Sequence, residues 1–115
     1  MPSAPGKPEV HNIKKTSMTL TWTQPEHDGG KPIQGYIVEV RENFAFHWSA
    51  SKKDLIPDTE FTMTGLNEGN TYEFRVVAQN EAGMSKPSEP THPPRVAIDP
   101  SRKFDRWLIS KRPVL

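Results

Sequence analysis

The chain contains no cysteine among its 115 residues, so disulfide cross-links, thiolate nucleophiles and sulfur-ligated zinc are all excluded. It has no Asn-x-Ser/Thr glycosylation acceptor, and no apolar run approaches the roughly 20 residues a membrane span requires. Met1-Pro2-Ser3-Ala4-Pro5-Gly6 lacks the apolar centre of a secretory signal. These shortages favour a reducing, cytoplasmic setting and no membrane. An excess of one charge is missing too: 15 Lys and Arg face 14 Asp and Glu, so nothing global points to nucleic acid. The balance is uneven along the chain. Residues 1–98 carry 10 basic and 12 acidic side chains (net −2), and residues 99–115 carry 5 and 2 (net +3).

What the chain does have is short alternating runs separated by turn residues. Ser17 to Thr23 places Met18, Leu20 and Trp22 on one face of a predicted strand. Gln24 to Pro32 is dense in Gly, Pro and Asp and reads as a loop. Ile33 to Arg41 alternates with Tyr36, Val38 and Val40 inward and Ile37, Glu39 and Arg41 outward. Phe44 to Trp48 reads as a short edge strand, and Glu60 to Thr64 as another, with Phe61 and Met63 inward. Thr71 to Gln79 puts Tyr72, Phe74, Val76 and Ala78 inward. The last strand is interrupted by Pro87, Pro90, Pro93 and Pro94; proline donates nothing to a ladder, so this strand lies at an edge or is irregular. Val96 and Ile98 are expected to close the core. No segment before residue 99 has helical periodicity, and no connection can hold a crossover helix, so the strands are antiparallel. The expected architecture is all-β, a seven-stranded antiparallel immunoglobulin-like sandwich over residues 1–98.

In order along the chain stand Trp22, Asp28-Gly29-Gly30, Gly35-Tyr36-Ile37-Val38-Glu39, Trp48, Leu66 with Tyr72, Phe74-Arg75-Val76 with Ala78 and Asn80, and Pro87-Ser88-Glu89-Pro90. This set, spanning about residues 5 to 98, resembles a fibronectin type III domain. It looks most like the modules of the giant intracellular muscle proteins: titin, twitchin and projectin, myosin-binding protein C, and myomesin. The resemblance implies a tandem, force-carrying module that binds thick-filament or M-band partners in the sarcomere and catalyses nothing. Two other readings stand beside it: an accessory domain flanking a kinase, with a regulatory linker tail, and an extracellular receptor or adhesion module.

Individual residues fit a binding role better than a chemical one. Trp22, Tyr36, Leu66, Tyr72, Phe74 and Val76 are expected core, with the Tyr72 hydroxyl bonding backbone near Leu66 or Asn67. His11, His27, His47 and His92 have no metal-ligand spacing. Glu39, Glu60 and Glu73 read as solvent-facing, Gly29-Gly30 lacks the remainder of a phosphate loop, and no nucleophile–base pair is apparent. No cofactor is expected. Arg41, Glu39, Arg75 and Glu73 should lie on one sheet shared by the Ile33–Arg41 and Thr71–Gln79 strands, where opposite charges can pair across strands, as a solvated face or a binding face. Phe44 and Phe46 share a face with Trp48 by alternation, as a core extension if Trp48 turns inward and as an interface if the strand bulges.

Residues 99–115 form a separate basic tail. Asp99 and Pro100 suit a helix start, and Phe104, Trp107 and Leu108 recur at helical spacing, with Arg102, Lys103, Arg106 and Lys111 around them. So short a helix needs a surface to pack on, whether its own sandwich, a neighbouring module, a partner protein or a membrane surface, and the tail is expected to be mobile in the isolated, monomeric domain.

Overall fold

The fold is taken from a computed structural model, which describes residues 1–99. The strands are β1 (Glu9–His11), β2 (Met18–Thr21), β3 (Ile33–Glu42), β4 (Ser49–Ala50), β5 (Glu60–Met63), β6 (Thr71–Asn80), β7 (Gly83–Met84) and β8 (Arg95–Val96). Among the described residues they form two antiparallel sheets and no helix. One sheet runs β1-β2-β5; the other runs β4-β3-β6-β7, with β8 also paired to β6. The eighth stretch exists because the proline-rich final strand is split in two. The ends of β2, β3, β5 and β6 fall within two residues of the expected ones.

Alternation built the core. Met18 and Leu20 of β2, Tyr36 and Val38 of β3, and Tyr72, Phe74, Val76 and Ala78 of β6 are all buried between the sheets. Trp22 follows β2 and stays tied to the sheet through its N–H to the Thr59 carbonyl at 3.0 Å. Its ring meets Tyr36 edge to face at 5.5 Å, a favourable aromatic geometry. Leu66 and Ile56 complete the cluster.

Between β7 and β8 the chain carries no strand, yet it still pairs with β6. The N–H groups of Ser85, Ser88 and Thr91 donate to the carbonyls of Ala78, Val76 and Phe74 at 2.8–2.9 Å. Their hydroxyls accept the N–H groups of the same three β6 residues at 2.9–3.1 Å. Each Ser or Thr thus serves a β6 residue twice. Pro87 and Pro90 occupy positions between these contacts, where no donor is required.

Three expectations are corrected. Phe44 to Trp48 is not a strand: the chain turns at Glu42–Ala45, closed by the Ala45 N–H on the Glu42 carbonyl at 3.0 Å. Asn43 and Phe44 have φ of 51° and 58°, the left-handed conformation a two-residue hairpin turn demands at both central positions. Strand pairing resumes only at Ser49–Ala50, opposite Val40 and Glu39. The inward residue near the C-terminal end is Ala97, with Ile98 partly buried and Val96 36% exposed. The Thr71↔Val96 register turns Val96 outward, and Ala97 exchanges backbone bonds with Gly69 and Asn70. Glu73 is only 8% exposed rather than solvated, because Arg41 lies directly opposite and covers it.

Candidate protein-docking face

β3 and β6 run side by side from Ile33 to Glu42 and from Asn80 to Tyr72, with Glu39 opposite Arg75 and Arg41 opposite Glu73. That register sets two opposite-charge pairs on the outer face of the larger sheet. Arg75 Nε reaches Glu39 Oε1 at 2.6 Å, and Arg41 reaches Glu73 Oε1 through Nε and Nη2 at 2.9 Å each. Trp48, placed by the turn before β4, lies against both guanidinium groups, at 4.7 Å from Arg41 and 4.5 Å from Arg75. Those distances are within cation–π range. The pairs are half-buried rather than freely solvated, so they hold the arginines in place more firmly than exposed strand charges would be held.

Beside this stack the turn carries two aromatic side chains into solvent. Phe44 is 63% exposed and Phe46 93%. Trp48 faces the arginines, not the core, so neither phenylalanine extends the core. The turn is anchored from behind: the Asn43 N–H donates to the Thr71 carbonyl, and Asn43 Oδ1 accepts the Thr71 N–H at 2.9 Å. Phe44 occupies a left-handed position usually given to glycine, a conformation that costs a non-glycine residue energy and clusters at functional sites.

Underneath the turn, a cleft of about 320 Å³ opens between the sheets, lined by Val40, Glu42, His47, Met63, Leu66 and Tyr72 among others. Glu42 Oε2 accepts hydrogen bonds from Asn67 Nδ2 at 3.1 Å, from Asn70 Nδ2, and from the Tyr72 hydroxyl at 3.0 Å. These donors, Asn67 first, hold its carboxyl below the ordinary range. Burial pushes the Tyr72 phenol up, and the same hydroxyl accepts the Asn67 N–H at 2.8 Å. The expected bond of Tyr72 to backbone, the corner bond, is thus made to the Asn67 N–H as donor.

No chemistry-bearing group converges elsewhere among the described residues. No cluster of three His, Cys, Asp or Glu side chains could hold a metal ion. His11 shares a hydrogen bond with Thr21, and the His27 N–H bonds Ser3. No described helix is long and apolar enough to cross a membrane. Phe104, Arg106, Trp107 and Leu108 lie outside the described residues. Sequence reasoning missed the Glu42 node and the Ser85, Ser88 and Thr91 ladder; the three-residue spacing of those hydroxyls, each of the last two preceded by proline, was the available signal.

The fibronectin type III domain family model matches residues 3–94. The chain belongs to the fibronectin type III family. This fibronectin type III chain is 39% identical over 93 residues to human cardiac-type myosin-binding protein C, covering 81% of the chain and 7% of that protein. It is 38% identical over 91 residues to human myomesin-2, covering 79% of the chain and 6% of that protein. Among solved structures it matches the twitchin kinase region from C. elegans with a TM-score of 0.80 and 38% identity, over 88% of this chain and 17% of that one. The chain thus spans well under a tenth of the length of these two curated relatives.

Proposed function

We propose that residues 1–98 form a non-catalytic spacer and protein-docking module of a multidomain sarcomeric protein, followed by a basic tail over residues 99–115. The observation that carries the docking role is the turn at Phe44 and Phe46, whose two exposed aromatics stand beside the ordered Arg41–Trp48–Arg75 stack. Rigid aromatics and arginines are the side chains that dominate protein interfaces. The likeness to myosin-binding protein C and myomesin-2 supports a cytoplasmic place in muscle and thick-filament or M-band partners, besides neighbouring modules of the same chain.

The test is co-sedimentation of the monomeric chain with purified myosin filaments and with an M-band fraction. Binding is expected to one of the two, and to be lost in a Phe44→Ser/Phe46→Ser double variant whose melting is unchanged. Absence of binding to both would remove the docking role and leave a spacer. A second reading, a domain flanking a kinase, is favoured by the match to the twitchin kinase region. A kinase glycine-rich loop in the parent chain after residue 115 would establish it.

A further inference from the structure

The ten residues of β3 run from Ile33 to Glu42, so its two ends stand about 30 Å apart at roughly 3.3 Å per residue. The docking turn follows the Glu42 end. At the Ile33 end, a cleft of about 310 Å³ lies between the loop after Trp22 and the start of β5, lined by Gln24, Ile33, Tyr36, Asp58 and Glu60 among others. Tyr36 is the informative residue. It is 3% exposed, Ile56 takes both its N–H and its carbonyl, and its ring meets Trp22. Its hydroxyl, unlike that of Tyr72, bonds no group among the described residues. Burial alone pushes the Tyr36 phenol up, whereas bonds with Asn67 and Glu42 also act on Tyr72. Nor is the hydroxyl sealed into the core, as Trp22 Nε1 is; it meets the cleft that Tyr36 lines. A buried hydroxyl ordinarily has a partner, and here a group entering the cleft must supply it.

The walls of the cleft give the sign of that group. Asp58 and Glu60 are exposed, and neither pairs with a basic side chain among the described residues. No lysine, arginine or histidine lines the cleft. Lys31, two residues before Ile33, pairs with Glu81 at 3.9 Å. The adjoining pocket shares Gln24 and Ile33 and adds Glu26 and Asp28, with His27; the Met1 amine lies beside Gly29 in that second pocket rather than in the first. The carboxylates do not cluster as a metal site among the described residues, so the cation that fits is an organic one. A guanidinium carries five N–H donors in a planar fork and sheds water more readily than an ammonium, which suits three acceptors set around one cleft.

We propose that this cleft is a second docking site, a seat for an arginine side chain from a basic segment of a partner protein. The Tyr36 hydroxyl and the Asp58 and Glu60 carboxylates accept its N–H donors. Hydrogen bonds between two ionised groups are about twice as strong as neutral ones, so a single side chain can anchor the segment. Glu26 and Asp28 in the adjoining pocket extend the acidic surface along which that segment lies. These groups serve recognition, and none is placed to do chemistry. The seat is at the opposite end of β3 from Phe44 and Phe46 and does not depend on them.

The experiment titrates the full 115-residue chain with the capped peptide Gly-Arg-Gly-Arg-Gly at low salt, and with its counterpart carrying glutamine in place of both arginines. Backbone amide and tyrosine-ring NMR shifts are the readout. Saturable shifts are expected at the Gln24, Ile33, Thr59 and Glu60 amides and at the Tyr36 ring with the arginine peptide, and none with the glutamine peptide. Tyr36→Phe should weaken binding about threefold or more. It should leave the denaturant midpoint unchanged, because the hydroxyl it removes bonds nothing inside the fold. The double variant Asp58→Asn/Glu60→Gln should weaken binding about tenfold or more, and Phe44→Ser/Phe46→Ser should not alter it. The proposal is overturned by an absence of saturable shifts at these residues, or by an equal response to both peptides. Affinity indifferent to the loss of Asp58 and Glu60 overturns it too, as does a Tyr36→Phe chain that loses stability as Tyr72→Phe does. The peptide comparison uses the unaltered chain, so it decides even where a variant fails to fold.

Discussion

Trp22 and Tyr72 are both buried aromatics, but they hold the molecule by different physics. Trp22 contributes area and its edge contact with Tyr36, while its Nε1 is buried with no hydrogen-bond partner among the described residues. Trp22→Ala should destabilise by about 3–5 kcal/mol, the range for truncating a buried aromatic. Trp22→Phe should cost distinctly less, because it keeps most of the buried aromatic area while also removing the unpaired donor. Chemical unfolding of the pair checks this, and equal losses would mean that a smaller ring at this site recovers none of the packing. Tyr72 contributes a hydroxyl that accepts from Asn67 and donates to Glu42. Tyr72→Phe keeps the ring and leaves the Asn67 N–H unpaired, for an expected loss of about 1–2 kcal/mol with cooperative unfolding retained. A neutral result would show the corner bond to be dispensable.

Among the elements, β2, β3 and β6 were legible because each buries one face, and a period of two then fixes register and orientation together. The C-terminal edge was legible only in part. Its prolines announced an irregular strand, but hydroxyls standing in for ladder acceptors are a tertiary arrangement that alternation does not encode. Ser88→Ala removes the acceptor of the buried Val76 N–H and should cost about 1–3 kcal/mol. Hydrogen exchange at the Val76 amide should accelerate well beyond that of its neighbours on β3. Unchanged protection there would mean the backbone pairing alone holds this edge. The turn after β3 was misread because Asn43-Phe44 has no glycine to mark it, and two aromatics suggested a strand. Gly35 shows the opposite case, a residue whose reason is visible only in the fold. A Cβ there would stand 2.8 Å from Leu55 Cβ and 3.0 Å from the Ile56 carbonyl. The Leu55–Ile56 segment crosses it to bond Tyr36 in both directions, at 2.8 and 2.9 Å. Gly35→Ala is expected to lose about 1–3 kcal/mol, as overpacking does, measured by denaturant midpoint. A gain in stability would mean that this segment can step away freely.

Across the whole molecule, the two sheets share one core but are joined at the C-terminal end by a polar node. Glu42 of β3 gathers Asn67, Asn70 and Tyr72, and Asn70 holds Ala97 in turn. Such a node makes stability depend on pH. In the unfolded chain the Glu42 carboxyl titrates near its ordinary value of about 4.3, and in the folded chain it titrates lower because three donors favour the anion. The unfolded state therefore binds the proton first, and stability falls as pH falls. The contribution is fully present above the unfolded value and is lost as pH drops through the folded one. Glu42→Gln keeps an oxygen acceptor without a charge that titrates, so its stability should decline less steeply than that of the unaltered chain between about pH 5 and pH 3. Above that window Glu42→Gln should be the less stable of the two, since an amide accepts these hydrogen bonds more weakly than a carboxylate. Denaturant melts of both proteins at half-unit pH steps measure the difference. Parallel curves throughout would show that the node carries no net preference for the charged form.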